Sequence, residues 1–169
     1  SIDYEKSINY LNKYKFNVET FITEDNTNTL SNITINEALI KGSLYEKRGE
    51  IENALNIYKV AMKVLPANAE LNFRFGTLLM RSSKWIDAKK YIIKAISLNK
   101  NYCEAHANLS IIFMKTGNLE EAKLESLKAI EINPNFANSY CNLGNIFKEQ
   151  GEFKDAEDSY RKAISLNKY

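Results

Sequence analysis

The sequence predicts an all-α fold, a solenoid built from antiparallel pairs of helices. The first observation is a shortage of turn-forming residues: the 169 residues include 6 Gly and 2 Pro, about 5% of the chain against an average near 12%. A β-sandwich or β-barrel with many hairpins needs more of them at its strand ends. The second observation is a repeat of 34 residues. The third is that each repeat carries two stripes of apolar residues at helical spacing.

Small residues mark the repeat. Two columns of alanines are unbroken, namely Ala54, Ala88, Ala122 and Ala156, and Ala61, Ala95, Ala129 and Ala163. Two columns of glycines each have a serine in one place, namely Gly42, Gly76, Ser110 and Gly144, and Gly49, Ser83, Gly117 and Gly151. Pro66 and Pro134 stand 68 residues apart, which is twice the period. Such periodicity is typical of stacked helix pairs.

Each repeat has room for two helices of about 14 residues. In the last repeat the first stripe consists of Tyr140, Leu143, Gly144 and Phe147, and the second of Phe153, Ala156, Tyr160, Ala163 and Ile164. We expect Gly144 and Ala156 to face each other where the two helices cross. A larger side chain in either column, such as leucine for Ala122, would overpack that contact.

The ends of the helices follow from the same columns. A glycine such as Gly49 is expected to end the first helix of a repeat, because a left-handed conformation costs least without a Cβ. A proline follows the second helix, which it cannot continue. Asn68, Asn101 and Asn135 are then expected to cap the next first helix with their side chains.

Residues 1–34 do not fit the 34-residue repeat. Tyr4, Ile8, Leu11 and Tyr14 fit a helical stripe, and residues 16–22 are expected to form a further short helix. Residues 23–29 are polar and unpatterned, which predicts a loop. We interpret the segment as an N-terminal helix or degenerate repeat followed by a polar loop.

Composition excludes several classes of function. A net charge of +2 is too small to indicate a nucleic-acid partner, and no apolar run of about 18 residues is present that would predict a membrane span. Cys103 and Cys141 lack the spacing of metal ligands and suit reduced thiols in the cytoplasm. The first residue is Ser rather than Met, so the chain is expected to be part of a longer protein.

The repeated residues resemble the tetratricopeptide repeat (TPR). The resemblance rests on the run Tyr-Cys-Asn-Leu-Gly at 140–144 with Phe147, Gly151, Ala156, Tyr160 and Ala163, and on Leu109, Phe113, Gly117, Ala122, Ala129 and Pro134. It covers four repeats, at 35–68, 69–102, 103–136 and 137–169. Lys41 in place of the usual Leu and Ser126 in place of an aromatic depart from the motif. The resemblance implies a right-handed superhelix with a concave groove lined by the first helix of each repeat.

That geometry implies a peptide-binding site in the groove. Its candidate residues form three columns, namely Lys47, Arg81, Lys115 and Glu149; Arg74, Asn108 and Asn142; and Thr77, Ile111 and Asn145. The asparagines are expected to hold the main chain of a bound peptide, because an amide donates and accepts at once. The second repeat holds seven Lys and Arg against two acids. Arg74, Arg81 and Lys115 are therefore expected to contact acidic residues of the partner.

Catalysis has little support in the sequence. Cys103 and His106 can share a helix face, but both stand in ordinary packing columns, so a nucleophilic pair or a metal site with Cys141 is disfavoured. No phosphate-binding or dinucleotide motif is present, and no cofactor is expected.

We therefore predict a protein-binding scaffold and not an enzyme. Two alternatives remain: a substrate-recruiting array of a larger transferase, as in the similar superhelix of the O-linked N-acetylglucosamine transferases, and a homo-oligomer. The homo-oligomer would form through the edge of the last repeat, where Phe153, Tyr160 and Ile164 are expected to remain partly exposed.

Overall fold

The computed structural model describes the backbone of residues 27–167 and the side chains of residues 35–167. This part of the chain contains eight helices and no strand. They are α1 (Thr27–Lys47), α2 (Ile51–Val64), α3 (Ala69–Arg81), α4 (Trp85–Leu98), α5 (Cys103–Lys115), α6 (Leu119–Ile132), α7 (Ala137–Gln150) and α8 (Phe153–Leu166). The chain is an all-α helical repeat solenoid, in which each odd-numbered helix, called a first helix, pairs with the second helix that follows.

The N-terminal prediction is wrong in part. Helix α1 begins at Thr27, so the last three residues of the predicted loop are helical. Residues 27–34 contain no Gly or Pro, and extending an existing helix costs little once its first turn has formed. The predicted helices within residues 1–22 and the rest of the loop lie outside the described residues.

The predicted glycine column does end the first helices. Gly49, Gly117 and Gly151 have φ of 75°, 81° and 80°, in the left-handed region that an amino acid without a Cβ enters most easily. Ser83, in the same column, takes this conformation with φ of 57°. Among the described residues, it is the one residue other than glycine with a positive φ.

One of the three predicted asparagine caps is correct. Asn68 accepts a hydrogen bond from the Leu71 amide at 2.9 Å, whereas the residues before α5 and α7 are Tyr102 and Phe136. Asn101 and Asn135 are wrong as caps because each stands one residue too early. Their backbone amides instead donate to the side chains of the asparagines two positions before them.

The column of Gly42, Gly76, Ser110 and Gly144 lets the two helices of a repeat approach closely. A Cβ added at Gly76 would come within 2.9 Å of the Ile92 side chain, and one added at Gly144 would meet the ring of Tyr160. The Ala88 main-chain oxygen, in the alanine column that also holds Ala156, lies 3.3 Å from the Cβ added at Gly76. The predicted approach of the two columns is therefore seen in repeat 2. In repeats 2 and 4 the aliphatic or aromatic side chain one turn further along the second helix also covers the glycine.

In repeat 3 the same contact is made by two serines. Ser110 and Ser126 are fully buried, and their hydroxyls are 2.6 Å apart. Two departures from the repeat pattern are thus halves of one contact, since Ser126 leaves room for the larger residue at 110.

The core runs between successive pairs as well as within them. All eight residues of the two alanine columns are buried. Two lysines of second helices cover aromatic rings of the next first helix, Lys89 over Phe113 and Lys123 over Phe147, each 4.5 Å from the ring centroid.

Within residues 27–167, no helix has both the length and the hydropathy needed to cross a membrane.

Candidate functional site

The ten predicted site residues all lie on first helices. Lys47 is in α1; Arg74, Thr77 and Arg81 are in α3; Asn108, Ile111 and Lys115 are in α5; Asn142, Asn145 and Glu149 are in α7. First helices of successive repeats contact one another, α3 with α5 and α5 with α7. Because the first helices contact one another across the repeats, they form the inner side of the curved array. We call this inner surface, formed by α1, α3, α5 and α7, the groove.

Four of the ten residues line one cavity in the groove. Thr77, Asn108, Ile111 and Asn142 surround a space of about 360 Å³ between α3, α5 and α7. Sequence reasoning missed the other lining residues, among them Phe73, Glu104, Phe136, Asn138 and Cys141. Their signal was available, because Phe73 and Cys141 stand two periods apart, each directly before a predicted site residue.

Both cavity asparagines already use one amide hydrogen within the chain. Asn142 is buried, and its Nδ2 donates to the main-chain oxygen of Ala107 at 3.1 Å. Asn108 Nδ2 donates to Thr77 Oγ1 at 3.0 Å. These bonds join the first helices of neighbouring repeats and fix the orientation of the amides. No bond within the described residues engages their side-chain oxygens, which leaves an acceptor on each.

The two predicted arginines pair with acids of this chain. Arg74 Nε lies 2.6 Å from Glu70 Oε1, and Glu70 also accepts a hydrogen bond from the Tyr102 hydroxyl. Burial and this bond raise the pKa of Tyr102. The groove charge is therefore partly neutralised at α3.

The second arginine lies in a similar network. Arg81 Nη1 is 3.8 Å from Glu46 Oε2, and Glu46 Oε1 accepts from the Tyr58 hydroxyl at 2.6 Å. Burial and the bond to Glu46 raise the pKa of Tyr58. Arg81 is half exposed, so this contact ties α1 to α3 without removing the charge from solvent.

The remaining predicted residues lie away from the cavity. Asn145 accepts a hydrogen bond from the Tyr160 hydroxyl at 2.8 Å. Lys47, Lys115 and Glu149 are exposed near the C-terminal ends of their helices. They extend the groove surface towards one edge and do not line the cavity.

Cys103 and His106 do not form a nucleophilic pair. The Cys103 thiol is buried and donates to the main-chain oxygen of Ala129 at 3.3 Å. Burial, together with nearby Glu104, raises the pKa of this thiol to about 11, so the thiolate that would attack a substrate is disfavoured.

His106 pairs with an acid instead. Its Nδ1 lies 2.6 Å from Glu125 Oε2, and both side chains are buried. The Nε2 atom lies 3.1 Å from the main-chain oxygen of Lys100, and Lys128 Nζ donates to the other oxygen of Glu125 at 2.8 Å. Among the described residues, no three His, Cys, Asp or Glu side chains are grouped so that they could hold a metal ion.

Apolar side chains are exposed on α8, the last helix of the described residues, as predicted. Phe153 is 71% and Ile164 67% exposed, whereas Tyr160 is half buried. They line a shallow space of about 540 Å³ on α8 together with Lys148 and Arg161.

Comparisons with known proteins agree with the repeat pattern. A family model described as tetratricopeptide repeat matches residues 137–169, and one described as TPR repeat matches residues 111–151. No curated protein sequence matches the chain.

Several solved structures share the fold. A crystal structure of MamA superposes with a TM-score of 0.76 at 21% identity, over 97% of this chain and 88% of that one. BtubC from P. vanneervenii gives 0.79 at 18% identity, over 99% and 76%. YrrB, described as a TPR protein with an unusual peptide-binding site, gives 0.73 at 21% identity, over 96% and 80%. The two family models, which together match residues 111–169, and the TPR protein YrrB among the similar structures support a tetratricopeptide repeat protein, in agreement with the 34-residue repeat and the helix pairs.

Proposed function

We propose that this protein-interaction scaffold binds an extended peptide segment of a partner in the groove, across the cavity between α3, α5 and α7. The observation that carries the proposal is the cavity itself, which has apolar walls from Phe73, Ile111 and Phe136 and two oriented amides. Such a combination suits a peptide, because apolar walls take a side chain and amides take main-chain groups. The unusual peptide-binding site of YrrB is a parallel for this use of the fold.

The acidic preference belongs to the ends of the groove in this proposal. Glu104 lines the cavity, so acidic side chains of the peptide would avoid its centre and meet Lys115 and Arg81 instead. Peptide binding should then weaken as the salt concentration rises, and Lys115→Glu and Arg81→Glu should abolish this salt dependence. We also propose that the protein binds its partner without catalysing a reaction on it. We further propose that it works in the reducing cytoplasm, since Cys103 and Cys141 are both free thiols.

Cys141 offers a direct test because it lines the cavity and is partly exposed, whereas Cys103 is buried. Peptides selected on the protein from a random display library should slow alkylation of Cys141 by a maleimide and leave Cys103 unlabelled. Prior alkylation of Cys141 should in turn abolish peptide binding, because the added group fills the cavity.

A matched control keeps the reagent away from the groove. The variant Cys141→Ser/Lys59→Cys moves the reactive thiol to an exposed position on α2. It should bind the peptides equally well before and after alkylation. If selected peptides bind but leave the alkylation rate of Cys141 unchanged, the cavity is not their site and the proposal fails.

A further inference from the structure

Four exposed apolar side chains lie on the outer faces of α4 and α6. Ile86 and Ile93 on α4 are 85% and 44% exposed, and Leu124 and Leu127 on α6 are 53% and 48% exposed. Ile86 and Ile93 are seven residues apart and Leu124 and Leu127 are three apart, so each pair lies on one face of its helix. We call these four residues the outer patch.

The fold does not require apolar residues there. The same three columns of repeat 1 hold Glu52, Asn56 and Lys59, and those of repeat 4 hold Lys154, Asp158 and Arg161, all of them exposed. In these three columns the exposed apolar residues are therefore confined to the two middle repeats. Exposed apolar residues grouped in this way mark a surface that contacts another molecule.

The charges around the outer patch differ in sign between the two helices. Exposed Lys84, Lys90 and Lys94 surround the isoleucines, with Asp87 as the acid among them, and exposed Glu120, Glu121 and Glu131 surround the leucines. The lysines of α6 are engaged elsewhere, Lys123 over the ring of Phe147 and Lys128 with Glu125. Glu120 accepts a hydrogen bond from Gln150 at 2.8 Å and Lys90 lies 5.9 Å from the ring centroid of Tyr91, but both side chains remain exposed. One molecule thus carries two adjacent faces that complement each other.

We propose that the outer patch binds a second copy of this chain, with α4 of each copy against α6 of the other. The two helices are parallel, being second helices of successive repeats. A two-fold axis along them and midway between them therefore places each opposite its complement, which is the arrangement of a closed dimer. Along the axis Lys90 lies about 6 Å from the level of Glu120, and Lys94 about 4.5 Å from that of Glu131, at a rise of 1.5 Å per residue.

The size of the surface sets the strength of the dimer. Two helices of 14 residues give a face roughly 20 Å by 20 Å, with neighbouring helices about 10 Å apart. Such a face buries about 400 Å² on each copy, roughly 800 Å² in all, which is below the size of a standard stable interface, so the dimer is weak and transient and forms at high protein concentration.

Sedimentation velocity over a concentration series tests the dimer. The wild-type chain should shift from monomer to dimer. The variant Ile86→Glu/Ile93→Lys/Leu124→Asn/Leu127→Lys, which copies the side chains of repeat 1, should remain monomeric with an unchanged circular dichroism spectrum and melting temperature. The matched control Phe153→Glu/Ile164→Lys removes the exposed apolar residues of α8 and should dimerise like wild type. A monomeric wild type, or a control that loses the dimer in place of the outer-patch variant, overturns the proposal.

Charge reversal tests the pairing of α4 with α6. Lys90→Glu/Lys94→Glu and Glu120→Lys/Glu131→Lys should each be monomeric alone, because both contacts of either homodimer then join like charges. An equimolar mixture should form a heterodimer, in which each contact again joins opposite charges. A mixture that stays monomeric contradicts the pairing. Alkylation of Cys141 in the presence of selected peptide reports the groove separately from this surface.

Discussion

At the scale of single residues, His106 departs most from the repeat pattern. Its column elsewhere holds Ala38, Asn72 and Tyr140. Its two ring nitrogens both face acceptors, Glu125 and the main-chain oxygen of Lys100, so the doubly protonated ring satisfies both. The bond to Glu125 outweighs burial and raises the pKa of His106. Burial acts to raise the pKa of Glu125, but its bonds to His106 and Lys128 hold it below the usual value.

These shifts predict how stability depends on pH. The contribution of His106 is complete below its unfolded pKa of about 6.5 and is lost as pH rises through the folded pKa. That of Glu125 is present above its unfolded pKa of about 4.3 and is lost as pH falls through the folded one. Glu125→Gln should therefore lower the free energy of unfolding by about 1–3 kcal/mol near pH 6, and by less as His106 deprotonates.

Urea denaturation at a series of pH values measures this difference. Asp158→Asn, at an exposed position in the middle of α8, should leave the free energy of unfolding unchanged. A deficit of Glu125→Gln that is the same at every pH would show that the charge of His106 is not involved.

At the scale of the helix pair, close contact is achieved in two chemically different ways. Repeats 1 and 4 set a glycine under a tyrosine ring, Gly42 under Tyr58 and Gly144 under Tyr160. Repeat 3 sets Ser110 against Ser126. Because the two members occupy one space, neither can be exchanged alone without strain or a void.

A double-mutant cycle tests this coupling. Ser126→Tyr should lower the free energy of unfolding by about 1–3 kcal/mol, since the ring meets the side chain of Ser110. Adding Ser110→Gly should restore most of the loss by recreating the pair found in repeats 1 and 4. Chemical denaturation of the four proteins gives the coupling, and additive effects of the two changes would contradict it.

At the scale of the whole molecule, each repeat packs against its sequence neighbours. Stability in such an array is close to a sum of local terms. Ala122 is fully buried and packs with Leu143 and Ile146 of the next repeat, so a change there should act on the C-terminal half.

Ala122→Leu should cost about 1–3 kcal/mol by overpacking and reduce hydrogen-exchange protection in α6 and α7 while leaving α2 and α3 protected. Asp158→Leu adds the same side chain at an exposed position of α8 and should reduce none of them. Uniform loss of protection across the array would contradict the local picture.

The sequence predicted the repeat and the C-terminal ends of the first helices well, because both depend on backbone requirements that a column of glycines or alanines displays directly. Two of the three asparagine caps were placed one residue too early, since no such column marks where a first helix begins. The residues that line the cavity were predicted only in part, since four of the ten candidate residues lie there. The ion pair of Glu70 and Arg74 could be read from the sequence, because the two residues are four apart on one helix. The approach of Glu46 to Arg81 could not, because these residues lie in different repeats and no local spacing indicates the contact. The bond of Asn142 to the Ala107 main chain was likewise hidden, since a carbonyl partner leaves no mark on side-chain identity.

The lysines that cover aromatic rings define a rule for adding one repeat to the next. Lys89 and Lys123 each lie over the ring that the following first helix presents, and the residue in their column of the last repeat is Glu157. A carboxylate is repelled by the negative face of an aromatic ring, whereas an ammonium group is attracted to it. A tandem duplication of the last repeat would place a copy of Phe147 under Glu157, so growth of the array by duplication would require a change of charge at that position.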